Sequence, residues 1–446
     1  MLNPDTEREQ MSMVLRSFAS VAILVGSGLY AQPSCGDWVG WPTDSPGSVS
    51  NILYDTAFNS PAVGLAVGSW NSGLGPRPLV LGWAGSGWSS LELPDTSGMG
   101  TNPQVGGVGL AGGELWVVGY VTTGYPTNNM PLVMRRQGAQ WDRVSTPVLR
   151  PQNTYPFADR GGFAYDIAGV AEDDMWVVGS AAGYGDGSAT SIGLALHFDG
   201  AAWEDIEVPL VGNRHHELTS VSASAPDNVW AVGDWRNIGQ NFKALVVRWD
   251  GSQWHHVPNP GEGDAGGDAE CVVAFAPDDV WVSGNFNAGA DHLIHWNGSS
   301  WDVVDAGLPG PFAAFAATGP DDIWGSCAIN ATVYHYDGSS WTPAGGPDIP
   351  GSAYVLRGWG MAAVGACEVW SVGAWSDGSL QRTLAERLTP GSCGADFDGD
   401  GQVNTIDVLA FLNAWGSGDP RGDFNGDGSV NTLDVLAFLN AWSAGC

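Results

Sequence analysis

The chain has 446 residues and a formal net charge of −32, with 16 Lys and Arg against 48 Asp and Glu. A chain this acidic excludes nucleic acid and anionic membrane surfaces as partners, since clustered Lys and Arg hold both. Its length allows one large repeat domain plus a smaller module, and its 65 Gly and 23 Trp suit short strands joined by tight turns.

Residues 1–31 read as a secretion signal. Arg16 precedes an apolar run from Phe18 to Leu29, which closes at Tyr30-Ala31 before the polar Gln32. The run is too short to span a membrane. The charged first ten residues suggest that translation starts at Met11 or Met13. Export to the cell exterior or cell surface would place the six cysteines in an oxidising compartment.

Residues 32–392 carry an internal repeat, and its period decides the fold class. One unit reads Leu218-Thr-Ser-Val-Ser-Ala, Asn228-Val-Trp-Ala-Val-Gly233, Leu245 to Trp254, then Val257-Pro258. Its first Trp recurs at Trp116, Trp176, Trp230, Trp281, Trp324 and Trp370, with Leu65 as a degenerate first member. A second Trp follows a Gly-containing turn at Trp88, Trp141, Trp203, Trp254, Trp301 and Trp341. Four β-rich runs per unit, at spacings of 43 to 60 residues, predict a seven-bladed β-propeller. The seventh unit lacks its closing Trp. Asp37-Trp38-Val-Gly-Trp41-Pro42 resembles the missing fourth strand, so the chain's start is expected to complete the last blade and remove a pair of open sheet edges. The repeat resembles that of large secreted bacterial propeller proteins. It lacks the Ser-x-Asp-x-Gly box of sialidases, the paired glycines of kelch repeats and the markers of WD repeats.

Regular turns, such as Ala225-Pro-Asp-Asn228 and Asp250-Gly-Ser-Gln253, are expected on one face of the ring. The variable connections Tyr120 to Met130, Ala181 to Ile192, Trp235 to Lys243 and Pro258 to Glu270 are expected on the other, where ligands bind. Just beyond the Trp-x-Val-Gly strands stand Trp70, Tyr120, Trp235, Phe286 and Trp375. Their rings either stack on sugars at the channel mouth or pack between blades. His197, His295 and His335 share one repeat position in three blades and read as structural. His215-His216 and His255-His256 lie nearer the variable connections but show no third metal ligand at recognisable spacing. Glycoside chemistry needs a carboxylate pair whose separation the sequence does not give; Glu217, Asp268 and Glu270 are loop carboxylates to mutate in search of it. No nucleophile elbow, phosphate loop or metalloprotease helix is present.

The last segment, residues 393–446, contains a duplication. Asp396-Phe-Asp-Gly-Asp-Gly-Gln-Val-Asn-Thr-Ile-Asp407 recurs 27 residues later as Asp423-Phe-Asn-Gly-Asp-Gly-Ser-Val-Asn-Thr-Leu-Asp434. Each copy runs into Asp-Val-Leu-Ala-Phe-Leu-Asn-Ala-Trp. Oxygen ligands at loop positions 1, 3, 5 and 12, with Gly at position 6, form the calcium-loop pattern of an EF-hand, here with Asp in place of Glu at position 12. The candidate ligands are Asp396, Asp398, Asp400 and Asp407, then Asp423, Asn425, Asp427 and Asp434, with the backbone carbonyls of Gln402 and Ser429. Two calcium ions are expected.

Two loop-helix units with no helix ahead of each loop resemble a dockerin, in a variant ending in Gly-Cys. The resemblance implies a small α-helical calcium-binding module that plugs a secreted protein into a cohesin-type domain on a complex or cell surface. It implies recognition through Thr405-Ile406 and Thr432-Leu433, in two orientations related by a pseudo-twofold axis. It also favours a Cys393–Cys446 clasp, since the ends of such modules meet; the competing pair is Cys35–Cys393, and Cys271, Cys327 and Cys367 have no assigned partners. Three functions follow as alternatives: a glycan- or protein-binding propeller, a glycoside hydrolase or polysaccharide lyase of a polysaccharide-degrading assembly, and a structural surface protein.

Overall fold

The computed structural model describes residues 35–93, 101–111, 113–122, 129–138, 140–147, 149, 161–185, 188–263, 266–287, 291–327, 329–346, 349, 352–365, 367–390, 395–398, 403–425 and 428–444. The leader, Cys393, Cys446 and the ligand candidates Asp400, Gln402 and Asp427 lie outside these residues. The chain divides into two compact units, residues 35–391 and a C-terminal unit from residue 392 onward.

The first unit is a seven-bladed β-propeller, seven antiparallel four-stranded sheets in succession. The inner strand of each blade lines a central channel. In chain order these strands are Ser50–Ser60, Thr101–Ala111, Gly162–Ala171, His215–Ala225, Asp268–Ala276, Phe312–Gly319 and Tyr354–Gly365. The second strand of each blade, such as Asn228–Arg236, is buried on both faces. Neighbouring blades cover each side of it, which is why Trp-Ala-Val-Gly reads as a continuous apolar run.

The repeated tryptophans join one blade to the next. The second-strand Trp of each blade meets the fourth-strand Trp of the following blade edge to face: Trp116 with Trp203, Trp176 with Trp254, Trp230 with Trp301, Trp281 with Trp341, and Trp370 with Trp88. Leu65 of blade 1 packs in one cluster with Trp141. The remaining contact is Trp324 with Trp38, at 6.4 Å and 79°. Trp38 lies on the strand Cys35–Trp41, which pairs antiparallel with Gln381–Pro390 and completes blade 7. Both ends of the propeller chain therefore meet in one sheet, as the strand-like N-terminal segment predicts.

A second device braces the same tryptophans. His197, His295 and His335 stack on Trp176, Trp281 and Trp324 at 4.4, 4.3 and 4.0 Å. Each Nε2 is held by Asp174, Asp279 or Asp322 at 2.7–2.8 Å. Arg135, Arg248 and Arg387 take the same place over Trp116, Trp230 and Trp370. These histidines are structural, one per blade.

Cys35 is bonded to Cys367. This corrects the Cys35–Cys393 alternative: Cys367 lies between the first two strands of blade 7, beside the N-terminal strand that completes the same sheet. Cys271 and Cys327 are buried free thiols.

The C-terminal unit contains α1 (Thr405–Ser417) and α2 (Thr432–Ala444). Phe411 and Phe438 stack at its centre, 4.1 Å apart and 9° from parallel. Trp415 Nε1 donates to the Asn431 carbonyl and Trp442 Nε1 to the Asn404 carbonyl. Each helix thus ties down the loop ahead of the other, a reciprocal arrangement that follows from the duplicated sequence. Among the described residues no helix is long and apolar enough to cross a membrane.

Candidate functional site: the propeller channel and the C-terminal loops

Every inner strand is bulged at the same level. The register slips past Tyr54, Gly106, Tyr165, Thr219, Glu270 and Ala313, and past the three residues ending at Trp359. A bulge re-aims the extra residue, and all seven line one cavity of about 400 Å³. The glycine of the Trp-x-Val-Gly strand is required by this bulge. A Cβ at Gly119, Gly179 or Gly233 would fall on the carbonyl of Gln104, Phe163 or Glu217 in the adjoining inner strand.

The channel wall has two characters. Tyr54 stacks on Trp359 with ring centroids 5.7 Å apart, and Trp359 remains 37% exposed. The Tyr54 hydroxyl bonds Ser69 and the Tyr165 hydroxyl bonds Ser180, which fixes both rings. Across blades 4 and 5 the wall is acidic. Burial, then the charges of Asp268 and Asp234, raises the Glu270 carboxyl above its ordinary range. Burial raises Glu217 as well, with the His215 ring pulling down and Asp234 pushing up. Tyr165 is raised chiefly by burial, with Glu217, Tyr120 and Asp234 contributing.

These positions correct two expectations. Glu217, Asp268 and Glu270 sit on inner strands rather than loops. The connection Ala181 to Ile192 is a hairpin extension, paired as far as Gly185 with Ser188. The aromatic set is also divided. Phe286 is 0% exposed and Trp235 7%, so both rings pack between blades and present no face to a ligand. Trp70 and Trp375 are half-buried beneath the guanidinium groups of Arg77 and Arg382. Tyr120 packs edge-on against Phe163, and its hydroxyl is raised by burial and by Tyr54, which places it beside the channel group.

The histidine pairs separate as strand geometry requires, since neighbours on a strand point to opposite faces. His216 is buried, accepts the Gly193 N–H at Nδ1 and is lowered by burial to about 4, so it stays neutral. His255 and His256 are held by Asp250 and Glu262. His215 turns instead toward Glu217 and Asp234. Asp234 is the residue that sequence spacing missed. It lies directly across the strand pair from Glu217, and pairing the two runs of the blade 4 hairpin is the signal that finds it.

Two further acids tie blades together. Asp55 accepts the N–H of Val108 in blade 2, and Asp166 that of Val221 in blade 4, each at 2.8 Å. Both line the channel cavity and are partly exposed to it. Burial, then the charge of Asp166, raises Asp55 well above the usual carboxylate range against the pull of its backbone N–H partners; burial raises Asp166 to about 6. A carboxyl raised on folding stabilises fully below its unfolded pKa, and that contribution is lost as pH rises through the folded value. The melting temperature of the native chain should therefore fall from about pH 4 to beyond pH 6, relative to an Asp55→Asn/Asp166→Asn variant. Parallel melting curves against pH would contradict this.

In the C-terminal unit the structure brings Asp396, Asp398 and Asp407 together, one oxygen of each within 4.8 Å of the others. Asp407 is fully buried and accepts the N–H groups of Asp398 and Asn404. Asp434 repeats this with Asn425 and Asn431. Asp423 Oδ2 accepts the Gly428 N–H, while its buried Oδ1 has no hydrogen-bond partner. Convergent carboxylates and an orphaned buried oxygen fit a hard cation that takes oxygen ligands. Thr405, Ile406, Thr432 and Leu433 are exposed in the first turns of the helices, with Ile406 at 55% and Leu433 at 57%. One turn further along, Leu409 and Leu436 are exposed as well.

No protein-family model matches the sequence, and no curated protein matches it. Solved structures do. YCF48 bound to a D1 peptide superposes with a TM-score of 0.50 at 13% identity, covering 81% of this chain and 99% of that one. The GH93 α-L-arabinofuranosidase of Fusarium graminearum in complex with arabinobiose gives 0.43 at 13% identity, covering 80% and 98%. A mutant Trypanosoma rangeli sialidase displaying trans-sialidase activity gives 0.40 at 10% identity; 88% of this chain is covered, which spans 61% of the sialidase chain. At such identity the first likeness shows the propeller fold alone, and the other two add nothing to it.

Proposed function

We propose that this is an exported binding protein whose propeller channel takes a glycan and whose C-terminal unit is a calcium-folded, dockerin-like module for a cohesin-type domain. The observation that carries the attachment half is the duplicated loop and helix. Each copy has a buried Asp at position 12 and an exposed apolar pair, Ile406 with Leu409 and Leu433 with Leu436. Asp396, Asp398 and Asp407 would hold one calcium ion with Asp400 and the Gln402 carbonyl; Asp423, Asn425 and Asp434 would hold the other with Asp427 and the Ser429 carbonyl. Calcium supplies the positive charge that lets these carboxylates converge and couples ion binding to folding. Thr405, Ile406, Thr432 and Leu433 would then meet the cohesin-type partner, in either of two orientations.

The glycan half is supported by the exposed Trp359 stacked on Tyr54, opposite an acidic wall that includes Glu270. Aromatic faces cover the apolar faces of sugar rings, and fixed carboxylates accept from sugar hydroxyls. A hydrolase is the second reading, because Glu270 lines the cavity, Glu217 and Asp234 are paired on the blade 4 hairpin next to it, and glycoside cleavage needs two carboxylates.

The test uses the full chain in calcium, on a glycan array and in a reducing-sugar assay, together with capture by cohesin-type domains. Binding without release of reducing ends is the expected result, and release would favour the hydrolase. Capture is expected to be abolished by chelator; capture that persists in chelator overturns the docking reading. Silence on both sugar assays with capture intact would leave a structural surface protein.

A further inference from the structure

We propose that the hairpin of blade 4 carries a divalent transition-metal site, best suited to zinc, with His215 Nε2, Glu217 and Asp234 as its protein ligands. His215 and Glu217 are two apart on His215–Ala225 and so share a face, and Asp234 on Asn228–Arg236 is paired directly with Glu217. One ligand atom from each lies within 4.8 Å of the others. Nε2 of His215 is 2.8 Å from Asp234 Oδ1 and 3.9 Å from Glu217 Oε2. Ligands bound to one zinc ion at roughly 2.0–2.2 Å stand about 3.3–3.5 Å from one another, between those two values.

The second observation is the bonding of the same atoms. Nε2 of His215 and Oδ1 of Asp234 are both buried, and despite their closeness neither makes a hydrogen bond. Nδ1 of His215 is 2.9 Å from Ser191 Oγ. Donation from Nδ1–H to that hydroxyl leaves the Nε2 lone pair aimed at two carboxylates, an arrangement that a cation between them relieves. A second partner at the far ring nitrogen is the usual device for orienting a metal-bound imidazole. Phe242 packs edge-on against the ring at 5.1 Å and carries the Arg236 guanidinium on its face, at 4.2 Å.

The three side chains are 19–25% exposed, so the cluster lies close to solvent although its Nε2 and Oδ1 atoms are buried. Imidazole nitrogen with two carboxylates suits zinc, with manganese as the harder competitor. The site is independent of whether the channel takes a sugar.

The test is equilibrium dialysis of the full chain against zinc, with calcium in excess so that the C-terminal loops are filled. One zinc per chain is expected. His215→Ala, Glu217→Gln and Asp234→Asn should each weaken it at least about tenfold, the scale of losing a fixed ligand or its support. His255→Ala, which removes the exposed ion pair with Asp250, should leave it unchanged. Cobalt in place of zinc should give a visible ligand-field band that His215→Ala abolishes. Melting curves without zinc identify any variant that fails to fold, and the other two then decide. Equal zinc uptake by the native chain and by the folded variants would overturn the site and leave a His–carboxylate ion pair.

Discussion

Replacing Trp38 with Ala is expected to destabilise the propeller by about 3–5 kcal/mol, the usual cost of emptying a buried aromatic site. Deleting residues 35–41 should go further and abolish the cooperative unfolding transition. Trp38 fills the one fourth-strand position that residues 42–391 leave vacant in the ring of tryptophan contacts. Its indole N–H also donates to the Ala344 carbonyl in blade 6, so its loss breaks a bond between blades as well as a packing contact. Without the strand, blade 7 exposes the backbone of Gln381–Pro390 as an open edge. The Cys35–Cys367 bond closes a separation of 332 residues, which in the chain-entropy limit is worth roughly 6 kcal/mol. Reduction should therefore lower the melting temperature of the native chain but leave a Cys35→Ser variant unmoved. Chemical denaturation of Trp38→Ala reads the first effect, and a change under about 1 kcal/mol would mean that the strand does not lock the ring.

Asp407→Ala and Asp434→Ala are expected to weaken calcium binding at the affected loop by at least about a hundredfold and to unfold the C-terminal unit at micromolar calcium. Each carboxylate is buried, accepts two backbone N–H groups, and joins the loop to the first turn of the helix that follows. Removal would take away a proposed calcium ligand and strand two N–H groups at once. Because Phe411 and Phe438 stack between the two helices, losing one loop should reduce the helicity of both halves. Calorimetric titration of the full chain checks this. Asp407→Ala retaining two equal calcium sites would refute the role given to that residue.

Much of the propeller was legible because its strongest signal is local. Trp230-Ala-Val-Gly233 reads as a strand buried on both faces, and it is one; Trp38 reads as a displaced member of the same series, and it occupies that place. The channel was not legible. The bulge position is held by Tyr54, Gly106, Tyr165, Thr219, Glu270, Ala313 and Trp359, which share no chemistry, so periodicity passes over them. The same blindness favoured Trp235 and Phe286, whose regular spacing marks packing between blades. His215, Glu217 and Asp234 are separated by a turn in the sequence and joined only by strand register. The two C-terminal helices were legible because the same twelve-residue loop pattern precedes each, and the added apolar pair, Leu409 and Leu436, follows from helical spacing alone.

The most direct measurement is the circular dichroism of the full chain as calcium is removed by chelator and restored, read together with cohesin-type capture. Loss of helical signal on chelation, its full return with two equivalents of calcium, and capture that follows the helical signal are the predicted result. Helicity and capture that are both indifferent to chelator would contradict a calcium-folded docking module.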